Sequence, residues 1–140
     1  MMTEIYFYSG AADKTYTACR LSAKAMQQGL NVIIYTLDTA LVDQLDKMLW
    51  TFSPTSFIPH CRTHDKLAHA TPVTLGHEIK QIKHHDVLLN LHDQHTPSFD
   101  RFDRLIEIAG IQSEDRIAAR KRYRFYLENG YKIHHYKLSD

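Results

Sequence analysis

The stretch Gly29-Leu30-Asn31-Val32-Ile33-Ile34-Tyr35-Thr36-Leu37-Asp38 decides the fold. Its apolar run from Asn31 to Tyr35 is continuous rather than alternating, as a strand requires when a parallel sheet is covered on both faces. Gly29 stops the segment before it, Thr15 to Gln28, where Ala18, Leu21, Ala25 and Met26 recur at helical spacing. Asp38 supplies a cap for the segment after it, whose Leu41, Leu45, Met48 and Leu49 form an apolar stripe ending near Trp50. Ser53-Pro54 breaks that helix. Helix, doubly buried strand, helix: the order predicts an α/β domain.

Working outward, Glu4-Ile5-Tyr6-Phe7-Tyr8 reads as a buried first strand ending at Ser9-Gly10. A less regular stretch runs from Phe57 through Thr74, with the apolar pieces Phe57-Ile58 and Val73-Thr74. Val87 to Leu91 and Leu105 to Ala109 are further strands. Ser113 caps a long helix with Glu114 and Asp115 in its first turn, where acids favour the helix dipole. That helix runs to Asn129 and stops at Gly130, and Ile133 to Leu138 adds a final edge strand. The expectation is one domain over residues 1–140, a mostly parallel sheet with helices on both faces.

Composition supports this and excludes other classes. With 44% hydrophobic and 24% charged residues among 140, disorder and fibre are excluded. The longest apolar runs, Val32 to Tyr35 and Val87 to Leu89, fall far below the roughly 20 residues of a membrane helix. Met1 to Ile5 has neither a basic leader nor an apolar core, so no signal peptide is expected. Two cysteines, Cys19 and Cys61, make no disulfide scaffold, and the expected location is cytoplasmic. The net charge of +1 excludes a general nucleic-acid coating protein. That charge is uneven. Arg116 to Lys132 holds six cations against Glu128, a local excess of +5 that leaves −4 for the rest and steers acidic partners.

Motifs for catalysis fail one by one. Ser9-Gly10-Ala11-Ala12-Asp13-Lys14-Thr15 has the Lys-Thr of a phosphate loop, but Asp13 replaces the glycine whose backbone would wrap phosphate. The ten histidines include His60 and His64 around Cys61 and the doublets His84-His85 and His134-His135. Zinc needs three or four converging ligands, and Cys61-x-x-His64 has no second half, so no metal is expected. Adjacent histidines on a strand point to opposite sides. There is no G-x-S-x-G elbow and no redox cysteine signature, and Asp43 with Asp46, or Asp100 with Asp103, read as solvated faces. No enzyme activity and no cofactor are expected.

The last helix is different. At about 100° per residue, Arg116, Arg120 and Arg124 fall near 0°, 40° and 80°, with Tyr123 and Leu127 near 340° and 20°. Ala118, Ala119, Phe125 and Tyr126 lie on the other side and would pack on the sheet. A guanidinium stripe beside a phenol ring and a leucine suits an acidic peptide with a hydrophobic anchor, or a nucleic-acid backbone with a stacked base. A solvated basic face is the plain alternative. Trp50 and Phe57 are the other pair, fitting core packing and an interface anchor equally well.

These residues resemble a known family. Leu45-Asp46-Lys47-Met48-Leu49-Trp50, Ser56-Phe57-Ile58-Pro59-His60, Ala119-Arg120-Lys121-Arg122-Tyr123-Arg124 and Gly130-Tyr131 are similar to the DNA polymerase III chi subunit family, over almost the whole chain. The stretch from Arg62 to His85 departs from the pattern. The resemblance implies a nucleotide-binding-like topology without a phosphate loop, and a non-catalytic clamp-loader accessory subunit. It implies binding to the acidic, phenylalanine-ending C-terminal tail of single-stranded DNA-binding protein, with DNA contacted mainly indirectly. It also implies a second partner, the psi subunit, or in some bacteria a repair helicase on the same surface. Arg120 and Tyr123 match the family's tail-binding residues. Arg124 stands where the best-known relative has lysine, and Leu127 replaces a basic residue. Trp50 and Phe57 match the psi-side aromatics. Arg116 comes from helical geometry, not from the resemblance. A direct single-stranded nucleic-acid-binding domain using the same helix is the competing expectation.

Overall fold

A computed structural model describes residues 2–52 and 57–138. In chain order the elements are β1 (Glu4–Ala11), α1 (Lys14–Gln27), β2 (Val32–Tyr35), α2 (Thr39–Thr51), β3 (His60–Arg62), β4 (Val73–Gly76), β5 (Val87–Asn90), β6 (Arg104–Gly110), α3 (Ser113–Glu128) and β7 (Ile133–Lys137). The seven strands form one sheet in the order β3-β4-β2-β5-β6-β1-β7, every pair parallel. The Ser53-Pro54 break lies outside the described residues.

The two-sided burial expected of Val32 to Tyr35 is present, and successive residues serve opposite layers. Val32 and Ile34 join Leu45, Leu49 and Leu75 beneath α1 and α2. Ile33 and Tyr35 join Phe7, Leu105, Ala119 and Tyr126 beneath α3. Asp38 caps α2 by accepting from the Ala40 and Leu41 amides at 3.0 and 3.3 Å. Gly130, at φ +79°, takes the left-handed turn that ends α3 and sends the chain into β7.

Three local expectations are corrected. Ser113 is not the cap of α3: Gln112 precedes the helix without a side-chain cap, and Ser113 is its first residue. The irregular stretch contains a strand, β3, pairing with β4 from His60↔Val73 to Arg62↔Leu75. Asp43 and Asp46 do not simply face solvent. Asp43 pairs with Arg62 at 2.9 Å, tying α2 to β3, and Asp46 lies 3.0 Å from His60 Nε2.

Candidate functional site

β1 and β6 are neighbours, yet the helices that follow them pack on opposite faces of the sheet. Such a divergence opens a crevice at the carboxyl ends of parallel strands. Here the register of β1 against β6 also slips between Tyr8 and Ala11, and Gly10 sits at φ +77°. The bulge draws the backbone aside next to the first turns of α3. The result is a hollow of about 440 Å³ between the ends of β1, β6 and β7 and the face of α3.

Its floor and wall are apolar: Phe7, Ala109, Ala119 and Tyr123. Ala119 is buried, and its small side chain lets α3 lie close to the sheet. Tyr123 is half-buried, edge-on to Phe7 at 5.1 Å and 5.9 Å from His135. The rim is cationic: Arg116 and Arg120 from α3 and Lys137 from β7. None of these three has an ion-pair partner among the described residues. An apolar hollow with unpaired cations on its rim can take an aromatic side chain attached to a carboxylate.

The structure thus brings together Arg116, Arg120 and Tyr123. Arg124 lies one groove over, with Ile117, Lys121 and Phe125, and only Arg120 is shared between that groove and the hollow. Leu127 is exposed and lines neither. Phe125 is half-buried against the core beneath α3, as expected, and stacks on His95 at 4.1 Å and 7°. Helical angle groups residues around an axis but ignores position along it, and Leu127 sits a turn beyond Tyr123.

One member of the basic run was misread. Arg122 is not part of the surface field: it is buried against Glu107, Nε to Oε1 2.9 Å, and donates from Nη1 to the Asp93 carbonyl at 2.7 Å. Tyr126 donates its hydroxyl to the other Glu107 oxygen, and Asn90 donates to it at 3.0 Å. Burial pushes the Glu107 carboxyl upward, and Arg122 with these two donors pulls it back part of the way. The network clamps α3 to β5 and β6, which fixes the height at which Arg120 and Tyr123 stand. Two signs were legible: Arg122 falls about 240° around α3 from Arg116, among Ala118, Ala119, Phe125 and Tyr126, and a lone acid stands inside the apolar strand Leu105 to Ala109.

The loop that resembles a phosphate site is filled by the chain itself. Asp13 accepts from the Tyr16 amide at 3.0 Å, and Lys14 Nζ is bound to Asp115 at 2.7 Å. Burial raises the Asp115 carboxyl, but Lys14 and the Gly110 amide outweigh it and hold the group below the usual range. Cys19 is buried, its thiol pushed up to about 12. Among the described residues no group of three or more His, Cys, Asp or Glu could hold a metal ion. No helix among them is long and apolar enough to cross a membrane.

Trp50 and Phe57 stand together on the α2 side, both 58% exposed, ring centroids 5.1 Å apart. Trp50 is also edge-on to His60 at 5.0 Å, whose Nδ1–H donates to the Ile58 carbonyl at 2.7 Å. His134 and His135 do point to opposite sides, toward Glu4 and toward Ser9, each at 2.8 Å.

Comparison with known proteins shows the family. Residues 2–134 match the family described as DNA polymerase III chi subunit, HolC. The chain is 33% identical to the DNA polymerase III subunit chi of Pseudomonas aeruginosa over 98% of each chain. It is 27% identical to the protein of that name from Haemophilus influenzae, over 83% of this chain and 81% of the relative. For the one from Escherichia coli K12 the figures are 23%, 82% and 79%.

Proposed function

The chain belongs to the DNA polymerase III chi subunit family and so to DNA replication, and from that premise we propose that it recruits single-stranded DNA-binding protein through the hollow beside α3. On this reading it is a non-catalytic, cytoplasmic accessory of the clamp loader. The acidic C-terminal tail of single-stranded DNA-binding protein lays its final phenylalanine ring on Tyr123 and Phe7. Arg120 and Arg116 take the terminal carboxylate, and Arg124 meets acidic residues farther up the tail. The second surface, Trp50 with Phe57, docks the psi subunit or a repair helicase.

The observation that carries this reading is the pairing of an apolar hollow with guanidinium groups that have no ion-pair partner among the described residues. Charge-assisted bonds of that kind contribute about 1.5–3 kcal/mol each. A short peptide held this way binds in the micromolar range, about −8 kcal/mol, and more weakly as salt rises. The deciding experiment offers a fluorescent tail peptide and a fluorescent single strand to the protein at the same moderate salt. Peptide binding that removal of the terminal phenylalanine abolishes supports the proposal. Strand binding lost with Arg120→Ala, and no peptide binding, would make α3 a nucleic-acid surface instead.

A further inference from the structure

His135 lines the hollow, and nothing so far gives it a task there. The parallel register sets Phe7 opposite His135 and Ser9 opposite Lys137. Alternation along β7 brings His135 and Lys137 to the hollow and turns His134 to the other side, toward Glu4. The His135 ring stands edge-on to Phe7, centroids 6.1 Å apart at 89°, and to Tyr123 at 5.9 Å and 63°. Its Nε2 lies 2.8 Å from Ser9 Oγ, and its Nδ1 has no hydrogen-bond partner among the described residues. A hydroxyl both donates and accepts, so the contact with Ser9 survives a change of charge on the ring.

The charges around this ring are of one sign. Arg116 and Arg120 face the hollow from α3, and Lys137 from β7 itself. β1 contributes Phe7 and Ser9, and β6 contributes Ala109, none of them charged. Among the described residues no carboxylate lines the hollow. Asp115, at the start of α3, is turned to Lys14 and the Gly110 amide. A ligand carboxylate entering here supplies the missing counter-charge, and an opposite charge within about 4–6 Å favours the charged form of a base.

On the tail-binding reading, from which this step proceeds, we propose that His135 is a further binding residue of the hollow. As an imidazolium it donates from Nδ1 to a carboxylate of the acidic peptide, beside the guanidinium groups of α3. Arginine and lysine keep their charge between about pH 6 and 8, whereas histidine is the side chain whose charge change falls in that range. Binding therefore takes up a proton, and by linkage affinity rises as pH falls. A ring that merely packed on Phe7 and Tyr123 would leave affinity independent of pH in that window.

The test is calorimetric titration of an N-acetylated, acidic, phenylalanine-ended peptide at about pH 6 and about pH 8, into wild type, His135→Gln and His134→Gln at one salt concentration. Peptide carboxylates stay ionised at both values and acetylation removes the terminal amine, so the protein supplies any change. Glutamine keeps a polar group for Ser9 but gains no charge. His135 is exposed, and melting curves verify that each variant folds. Wild type is expected to bind about fivefold more tightly at the lower pH, with proton uptake read as a dependence of the binding heat on the buffer's ionisation enthalpy. His135→Gln is expected to change by less than about twofold between the two values, and His134→Gln to keep the wild-type response. Equal wild-type affinity at both values overturns the proposal and leaves the tail-binding reading standing. So does a response that persists in His135→Gln or vanishes in His134→Gln. Absence of wild-type binding at both values overturns the tail-binding reading itself, and this proposal with it.

Discussion

Arg120 and Arg122 stand two positions apart on α3 and have opposite surroundings. Arg120 projects into solvent beside an apolar hollow, and Arg122 is sealed against Glu107. Two residues of helix turn a side chain by about 200°, so neighbours of identical chemistry serve binding and architecture respectively. Removing Arg122 strands a buried carboxylate. Arg122→Leu is therefore expected to lower stability by about 3–5 kcal/mol in urea unfolding, and adding Glu107→Leu to restore a large part of it. If the double variant is no more stable than the single one, the pair is not coupled as described. Tyr126→Phe removes one donor to the same carboxylate and is expected to cost about 1–2 kcal/mol by the same measurement.

At the scale of elements, α3 is positioned from both ends. At its start, Asp115 reaches back to the Gly110 amide and to Lys14 on α1. Its carboxyl is held below the usual range, so this contribution is complete above the ordinary aspartate value. It is lost as pH falls through the lowered folded-state value. Asp115→Asn is expected to be less stable near neutrality and to show a flatter acid limb in a melting-temperature profile; an unchanged limb would place that pH dependence elsewhere. Much of this arrangement was legible. Continuous apolar runs announced β2 and β5, and Gly29 and Gly130 announced the ends of α1 and α3. The strand β3 was not, because His60-Cys61-Arg62 has no apolar pattern and is held by Asp43 and its pairing with β4. Arg122 is hidden differently: a charge count groups it with the surface cations although helical angle sets it among the buried side chains, and its partner Glu107 lies 15 residues away. The site was half visible, since angle around α3 brought Arg116, Arg120 and Tyr123 together but not their depth against β1 and β7.

At the scale of the molecule, the parallel sheet separates two surfaces. Trp50 and Phe57 belong to the α2 side, and the cationic hollow belongs to the α3 side. On the proposed function, a partner on one face leaves the other open. Phe57→Ala is expected to weaken capture of psi or a helicase and to leave tail-peptide affinity within about twofold, because exposed rings dominate an interface only where they are desolvated. A pull-down and titration giving the reverse pattern would overturn that division. The account rests most heavily on the hollow itself. Calorimetric titration of an acidic, phenylalanine-ended peptide into wild type and Arg120→Ala tests it directly. A micromolar wild-type affinity that falls about tenfold or more in the variant, with an unchanged melting temperature, is the predicted result. Equal affinity in the two proteins would contradict it.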